Sequence, residues 1–400
     1  MISIRNNQAS LSAAIEQHCL GNLQEAIEIY RGITKNEAQP EEALLFLALA
    51  NYELMNPQIA KELMDRRNSI NFSRSETIKN LGVKLLERNQ VHLAYAALEH
   101  AVSIYPKNLS SCALYYKVAH LLGKLEHEII TLWERFTGQN EETKFKMYYF
   151  HGRDQVVNRV RSSGLNSYET PLPLVLSHCI KAFPGTFLDV GSNSGFFSLL
   201  AVASGATRVV AFEAFKPIFE LLECNVALNG FPDKICLEEI AISNFEGDLN
   251  LYIPINNLDL IETSASLESS FKAGHSQILP VRALTIDTYA SQKLDESECI
   301  SLIKIDVEGH ETAVLSGALK TVHHHRPIIF IEILNRADFE FLLNFKVENE
   351  YAEIVINQDK ALLSEEVQFY PNQYNHILVP NELLSKFISM LEVAGITTKK

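Results

Sequence analysis

The octapeptide Asp189-Val190-Gly191-Ser192-Asn193-Ser194-Gly195-Phe196 constrains this chain more than any other stretch. It follows the apolar pair Phe187 and Leu188 and opens a second apolar run, Phe197, Leu199, Leu200 and Ala201. That order predicts a buried strand, a sharp turn and a helix start. Gly191 and Gly195 let the backbone approach a ligand closely, and the free N–H groups of a helix start favour a carboxylate or phosphate. Glu213 ends the next apolar run, Val209 to Phe212, about 20 residues on, where such folds set an acid against ribose hydroxyls. A nucleoside-bearing cofactor is the ligand class this pattern fits.

The glycine spacing narrows the class. A dinucleotide fingerprint is G-x-G-x-x-G, whereas this turn offers G-x-x-x-G, and the chain has no G-x-x-x-x-G-K-[ST] to cradle a nucleoside triphosphate. Asp189 would repel a pyrophosphate but suits an ammonium group. S-adenosylmethionine carries an ammonium, a carboxylate and a ribose. The turn therefore points to a methyltransferase, the alternative being an α/β enzyme with another cofactor.

Four hundred residues imply two or three domains. A net charge of −14 argues against broad binding of nucleic acid or anionic membrane. The six cysteines are scattered without C-x-x-C, which fits thiols of a reducing compartment better than disulfides or a zinc site. The amino terminus lacks the apolar region of a signal peptide, and no apolar run is long enough to span a bilayer; a cytoplasmic protein without a transmembrane segment is the expectation.

The first third repeats. Leu20-Gly21-Asn22-Leu23, Leu54-Met55-Asn56-Pro57, Arg88-Asn89-Gln90-Val91 and Leu122-Gly123-Lys124-Leu125 each start 34 residues after the last, which is the tetratricopeptide length. Small residues recur in register (Ala14, Ala48, Gly82; Ala26, Ala60, Ala94), as do large ones (Tyr30, Met64, Leu98, Leu132). Helices that cross closely at small residues explain the pattern; a generic helical bundle is the alternative. Residues 8–137 would then offer a surface for a protein partner or for self-association, or merely pack on the enzyme. The expected organisation is a helical-repeat domain over 1–137, a docked linker over 138–165 containing Met147-Tyr148-Tyr149-Phe150, and an α/β domain over 166–400.

In that last domain, near-continuous apolar runs predict seven strands: Thr186–Val190, Arg208–Glu213, Ile235–Ala241, Ile300–Asp306, Pro327–Ile333, Glu353–Asn357 and Asn375–Val379. Helices are predicted to start near Gly195, Pro217, Glu311 and Asp338. The fold class is α/β: a Rossmann-like, doubly wound, mostly parallel seven-stranded sheet preceded by an all-α repeat domain. Residues 247–281 break the pattern, with an alternating stretch and then a serine-rich one, and are expected to lie over the pocket mouth.

Lys304-Ile305-Asp306-Val307-Glu308-Gly309-His310-Glu311 ends the predicted strand Ile300–Asp306. Ligands bind beyond the carboxyl ends of such strands, so these residues belong beside Gly191. With Asp189 to Gly195, Ala211-Phe212-Glu213, Asn225, Asn229-Gly230, Ala241-Ile242-Ser243, Leu284-Thr285-Ile286-Asp287 and Glu332, they make residues 165–380 resemble the FkbM family of S-adenosylmethionine-dependent methyltransferases, which have the class I methyltransferase fold. Ser192 replaces the family's usual alanine and Ala214 its usual proline. The resemblance implies O-methylation of sugars or other hydroxylated metabolites, as in glycan biosynthesis.

The expected cofactor site is Asp189 (ammonium), Gly191, Ser192, Asn193 and Gly195 (methionine end), Glu213 (ribose) and Ala241 (adenine). Asp306, Glu308 and His310 are the candidates for a base or orienting group, since an acceptor hydroxyl sheds a proton as it attacks. Asp306, Glu308 and Glu332 also have the donor chemistry for Mg²⁺, but carboxylates in hydrogen-bond networks are commoner and no metal ligand is assigned. Glu169 is read as a helix cap or a contact to the methionine end, and His323-His324-His325 as a helix end. A repeat-based interaction protein with a non-catalytic cofactor domain is the competing reading.

Overall fold

The computed structural model describes the chain apart from residues 1–10, 12, 19–21, 36–40, 55, 107, 153, 255–263, 271–274, 296, 358–359, 372 and 400. It divides into two compact units, residues 1–118 and 119–400.

In the first unit, α1 (Leu23–Thr34), α2 (Glu41–Glu53), α3 (Pro57–Glu87), α4 (Val91–Ile104) and α5 (Leu109–Leu121) follow one another. The starts of α1, α3 and α4 keep the 34-residue spacing. A Cβ on Gly82 would lie 2.8 Å from Leu98 Cγ, and Leu98, Ala26, Ala94 and Tyr30 are buried. The middle unit departs from a paired repeat, because α3 runs unbroken for 31 residues. Pro40 precedes α2 and Pro106 precedes α5, whereas Ser69-Ile70-Asn71-Phe72-Ser73 has neither proline nor glycine to stop the helix. Leu20, Gly21 and Met55 lie outside the described residues.

The second unit begins well before the expected boundary. An antiparallel hairpin, β1 (Ile129–Glu134) and β2 (Thr143–Tyr148), and α6 (Gln155–Ser163) occupy the stretch read as a linker. Phe145 and Met147 are part of a large apolar core. The Tyr148 N–H donates to Asn225 Oδ1 at 2.9 Å and the Lys146 N–H to Asn229 Oδ1 at 2.7 Å. The aromatic cluster is thus core material, which puts residues 119–165 with the α/β unit.

The main sheet then forms from β3 (Thr186–Val190), β4 (Arg208–Phe212), β5 (Ile235–Glu238), β9 (Ile300–Ile305), β10 (Ile328–Glu332), β11 (Tyr351–Asn357), β12 (Lys360–Ser364), β13 (Asn375–Pro380) and β14 (Thr397–Lys399). Its order is β14-β12-β11-β13-β10-β9-β3-β4-β5. Strands β10, β9, β3, β4 and β5 run parallel, and β13 and β11 add antiparallel neighbours. All seven expected strands are present, but the sheet has nine: β12 and the edge strand β14 extend it. The predicted third strand also splits. Ala241–Ile242 becomes β6 in a separate three-stranded sheet with β7 (Gly247–Pro254) and β8 (His275–Leu284).

Helices cover both faces. Phe187 packs with α7 (Leu172–Ala182), α8 (Phe196–Ala203) and α14 (Leu384–Val393), while Leu188 and Val190 pack with α10 (Ile286–Lys293), α11 (Glu311–Ser316), α12 (Leu319–His325) and α13 (Phe339–Glu348). Helix α9 (Lys216–Leu228) follows β4. The four predicted helix starts fall within one residue of the observed ones. The parallel register sets Val190 beside both Phe212 and Ile305, and Ile305 beside Ile331. Gly191, Glu213, Asp306 and Glu332 therefore emerge at one rim. Among the described residues no helix is long and apolar enough to cross a membrane, and the five described cysteines are free.

Candidate active site

The turn after β3 is built by backbone sterics. Gly191 (φ +81°) and Gly195 (φ +97°) take left-handed conformations, as does Asn193 (φ +51°), a residue type that tolerates them. A Cβ on Gly191 would fall 1.9 Å from the Asp306 carbonyl oxygen, and one on Gly195 2.5 Å from Leu222 Cδ1. The N–H groups of Gly191 and Ser192 donate to the Phe212 carbonyl, and Ser194 Oγ donates to Asp154 Oδ2 at 2.7 Å. The turn is thereby fastened to β4 and to the start of α6.

Glu213 closes the same wall. The Asn193 N–H donates to its Oε2 at 3.0 Å and the Phe215 N–H to its Oε1 at 2.8 Å. Both oxygens are held in place. Burial pushes its proton affinity up to about 7, with the N–H groups of Phe215, Asn193 and Ala214 opposing and Asp189 adding to the rise. Asp189 lies deeper than expected. It is 1 % exposed, its Oδ2 accepts from Ser198 Oγ at 2.5 Å, and it is absent from the cleft wall. Burial raises its proton affinity and Lys304 opposes that. Asp189 thus supports the turn from beneath the surface that was expected to meet an ammonium group.

The cleft encloses about 980 Å³, open to solvent. Gly191 to Ser194 and Glu213 form one side. Ile218, Ile240, Ala241, Leu251 and Leu267 supply an apolar wall, and Lys304, Asp306 and Glu308 line the cleft from the β9 side of β3, across from Glu213 on the β4 side, with Tyr168 and Phe197 also in the lining. Leu251 and Leu267 come from the insertion that was expected over the mouth. These parts fit S-adenosylmethionine: the Gly191–Gly195 turn brings backbone to the cleft wall, the buried Glu213 carboxylate is an acceptor for ribose hydroxyls, and the apolar wall with Ala241 suits an adenine.

The acidic rim has one buried cation. Lys304, 3 % exposed, sits 2.7 Å from Asp306 Oδ2 and 4.6 Å from the centroid of the Phe197 ring. Burial disfavours its charge, but Asp306, Glu169 and Asp189 outweigh that and hold it protonated. Glu332 Oε2 is buried without a partner among the described residues. Burial, then repulsion from Asp306 and Glu308, pushes its proton affinity up to about 10. Glu169 is raised by burial, opposed by Lys304 and reinforced by Asp306, and its Oε2 accepts from Asn375 Nδ2 at 3.1 Å. Glu311 Oε1 accepts the N–H groups of Val307 and Gly309, so it braces the turn that presents Glu308.

Asp306 and Glu308 reach the cleft, whereas His310 does not. Its Nε2 lies 2.8 Å from Ser243 Oγ and its Nδ1 2.6 Å from Glu268 Oε1, and it is not part of the cleft wall. With both ring nitrogens engaged, it ties the insertion to the turn. Ser266 Oγ reinforces this by donating to the Glu308 carbonyl at 2.8 Å. Among the described residues no group of three or more His, Cys, Asp or Glu is placed to hold a metal, so Asp306, Glu308 and Glu332 do not assemble the Mg²⁺ set considered from sequence. His325 ends α12, as the histidine run implied. Tyr168, Phe197 and Glu268 escaped sequence reasoning; of these only Tyr168 had a signal, its place next to Glu169.

Comparison with known proteins agrees with this geometry. Residues 189–367 match the family profile described as the Methyltransferase FkbM domain. Protein arginine N-methyltransferase 7 of Danio rerio is 27 % identical over 176 residues, 40 % of this chain and 23 % of that protein. The Anopheles gambiae protein of the same name is 46 % identical over 50 residues, 12 % of this chain and 7 % of that one. The chain thus spans less than a quarter of the length of these curated relatives. Among solved structures, the methyltransferase FkbM from Methylobacillus flagellatus KT aligns with a TM-score of 0.32 at 15 % identity, covering 74 % of this chain and 60 % of that one. The O-methyltransferase from Bacillus cereus in complex with SAH aligns with a TM-score of 0.31 at 12 % identity, covering 56 % and 86 %. Through residues 189–367 the chain carries an FkbM methyltransferase domain, dependent on S-adenosylmethionine.

Proposed function

We propose that this chain methylates a hydroxyl of a saccharide or another hydroxylated metabolite. The observation that supports this most is the placement of Asp306 and Glu308 on the rim opposite Glu213, so that acceptor groups and cofactor groups face one cleft. When bound, the cofactor supplies a methyl group activated on a sulfonium. Glu213 would accept the ribose hydroxyls, and the Gly191–Gly195 turn would hold the methionine end. Asp306, oriented through Oδ2 by Lys304, would take the acceptor's proton, with Glu308 beside it. A positioned base of this kind contributes roughly 10²–10⁴-fold. The apolar wall and Phe197 would exclude water. The helices of residues 1–118 would serve association with a partner protein or a second copy.

A second reading has its own support. The rim carries more acids than cations, and the curated relatives are named as arginine N-methyltransferases, so a guanidinium acceptor is the competing class. Transfer of labelled methyl from S-adenosylmethionine to a panel of methyl glycosides and hydroxylated metabolites, beside an arginine-rich peptide, separates the two. Label in the hydroxyl panel that Asp306→Asn lowers at least a hundredfold supports the proposal. Label in the peptide alone replaces it.

A further inference from the structure

The α/β unit has a second cleft, open to solvent, with a cavity of about 360 Å³, within the size range of small-molecule sites. Its polar lining includes Arg159, Glu169, Asn357, Gln373, Tyr374 and Asn375, with the hydroxyls of Ser167 and Thr170, over an aliphatic floor that includes Leu172, Val175 and Ile377. Three carboxamides stand against one acid and one cation. A carboxamide both donates and accepts, as a sugar hydroxyl does, whereas a guanidinium would call for several acids. Tyr374 is 40 % exposed and its ring stacks on Phe369 at 5.8 Å between centroids. That holds an aromatic face toward solvent, where the C–H face of a pyranose can pack.

The two clefts share a wall. Tyr168 lines the first and its neighbour Glu169 the second. Asn375 donates to Glu169 and pairs in the sheet with Glu332. A chain of sugar units seated in the second cleft would therefore end at the acidic rim.

We infer that this second cleft is the saccharide subsite of the methyl acceptor, with Tyr374 as the platform for a sugar ring and Asn357, Gln373 and Asn375 as partners of its hydroxyls. The inference rests on the hydroxyl-acceptor reading above.

Saturation-transfer NMR on the full chain with methyl α-D-mannoside, methyl β-D-glucoside and methyl α-L-rhamnoside tests it. At least one glycoside should receive saturation from the wild-type protein. Tyr374→Ala and Gln373→Ala should each lower that signal at least fivefold, and Tyr374→Trp should restore it; S-adenosylhomocysteine titration of each variant confirms folding. No transfer to any glycoside, or transfer unchanged in both alanine variants, overturns the subsite. Methylation of a hydroxyl acceptor that is insensitive to Tyr374→Ala overturns the subsite and leaves the function standing. Tyr374-dependent glycoside binding with label only in the arginine peptide overturns the function instead.

Discussion

The backbone N–H of Asn193 donates to Glu213 Oε2 at 3.0 Å across 20 residues of sequence. This contact joins the glycine turn to the acid expected on the ribose, so one strand end cannot shift without the other. The burial of Glu213 also makes cofactor binding sensitive to pH. Glu213 has a proton affinity of about 7, and its ionised form is the better acceptor for ribose hydroxyls. S-adenosylhomocysteine should bind about tenfold more tightly at pH 8 than at pH 6. Glu213→Gln should weaken binding and flatten that dependence, as measured by calorimetry at both pH values.

The same burial gives the free protein an unusual stability profile. Glu213 and Glu311 are raised to about 7 and Glu332 to about 10, each above the ordinary glutamate value. The folded state then binds more protons than the unfolded state above about pH 4.5, so stability falls as pH rises. These acids contribute fully below that pH. The Glu213 and Glu311 contributions are lost through pH 7, and that of Glu332 continues to fall toward 10. Thermal unfolding without cofactor should occur at a lower temperature at pH 8.5 than at pH 5.5. Glu332→Gln, which mimics the protonated acid, should narrow the difference; a midpoint that rises with pH would contradict this assignment.

Lys304 is the counter-charge for the rim. Lys304→Met would leave Asp189 buried without the cation that opposes its protonation, and Asp306 without its 2.7 Å partner. Removing one member of a buried ion pair costs about 3–5 kcal/mol, and the partial exposure of Asp306 places this loss at the lower end. Urea unfolding of the variant reads it directly, and methyl transfer should fall with it.

His310 holds the insertion in place. His310→Ala should release Glu268 and Ser243 and loosen the Leu267 side of the cleft. The expected result is weaker S-adenosylhomocysteine binding, with the pH–rate profile keeping its shape. A change in the shape of the pH–rate profile would assign the proton transfer to His310 instead.

How much of this was legible in the chain depends on the range of the contacts involved. The apolar runs of β3, β4, β9 and β10 announce strands because both faces of the sheet are covered, and Gly195 and Asp338 announce helix starts by local chemistry. Asp306 and Glu308 followed from the same logic, since they sit just past a strand end. The roles of Asp189 and His310 did not follow. Asp189 is buried against Ser198 in the next helix, and His310 is engaged by Ser243 and Glu268, 67 and 42 residues away; no local pattern encodes such partners. The 34-residue period was visible, yet the fusion of its middle pair into α3 rests on a missing proline, which a search for recurring residues passes over. Strand β12, Lys360-Ala361-Leu362-Leu363-Ser364, has polar ends in place of a continuous apolar run, and the three-residue edge strand β14 is too short to carry a periodic signal.

Titration calorimetry with S-adenosylhomocysteine, on the wild-type chain and on Gly191→Ala, tests the central claim most directly. One molecule should bind per wild-type chain while NAD gives no heat. Gly191→Ala should abolish binding, because its Cβ would lie 1.9 Å from the Asp306 carbonyl. Binding of NAD without S-adenosylhomocysteine, or wild-type affinity in a folded Gly191→Ala variant, would contradict the account.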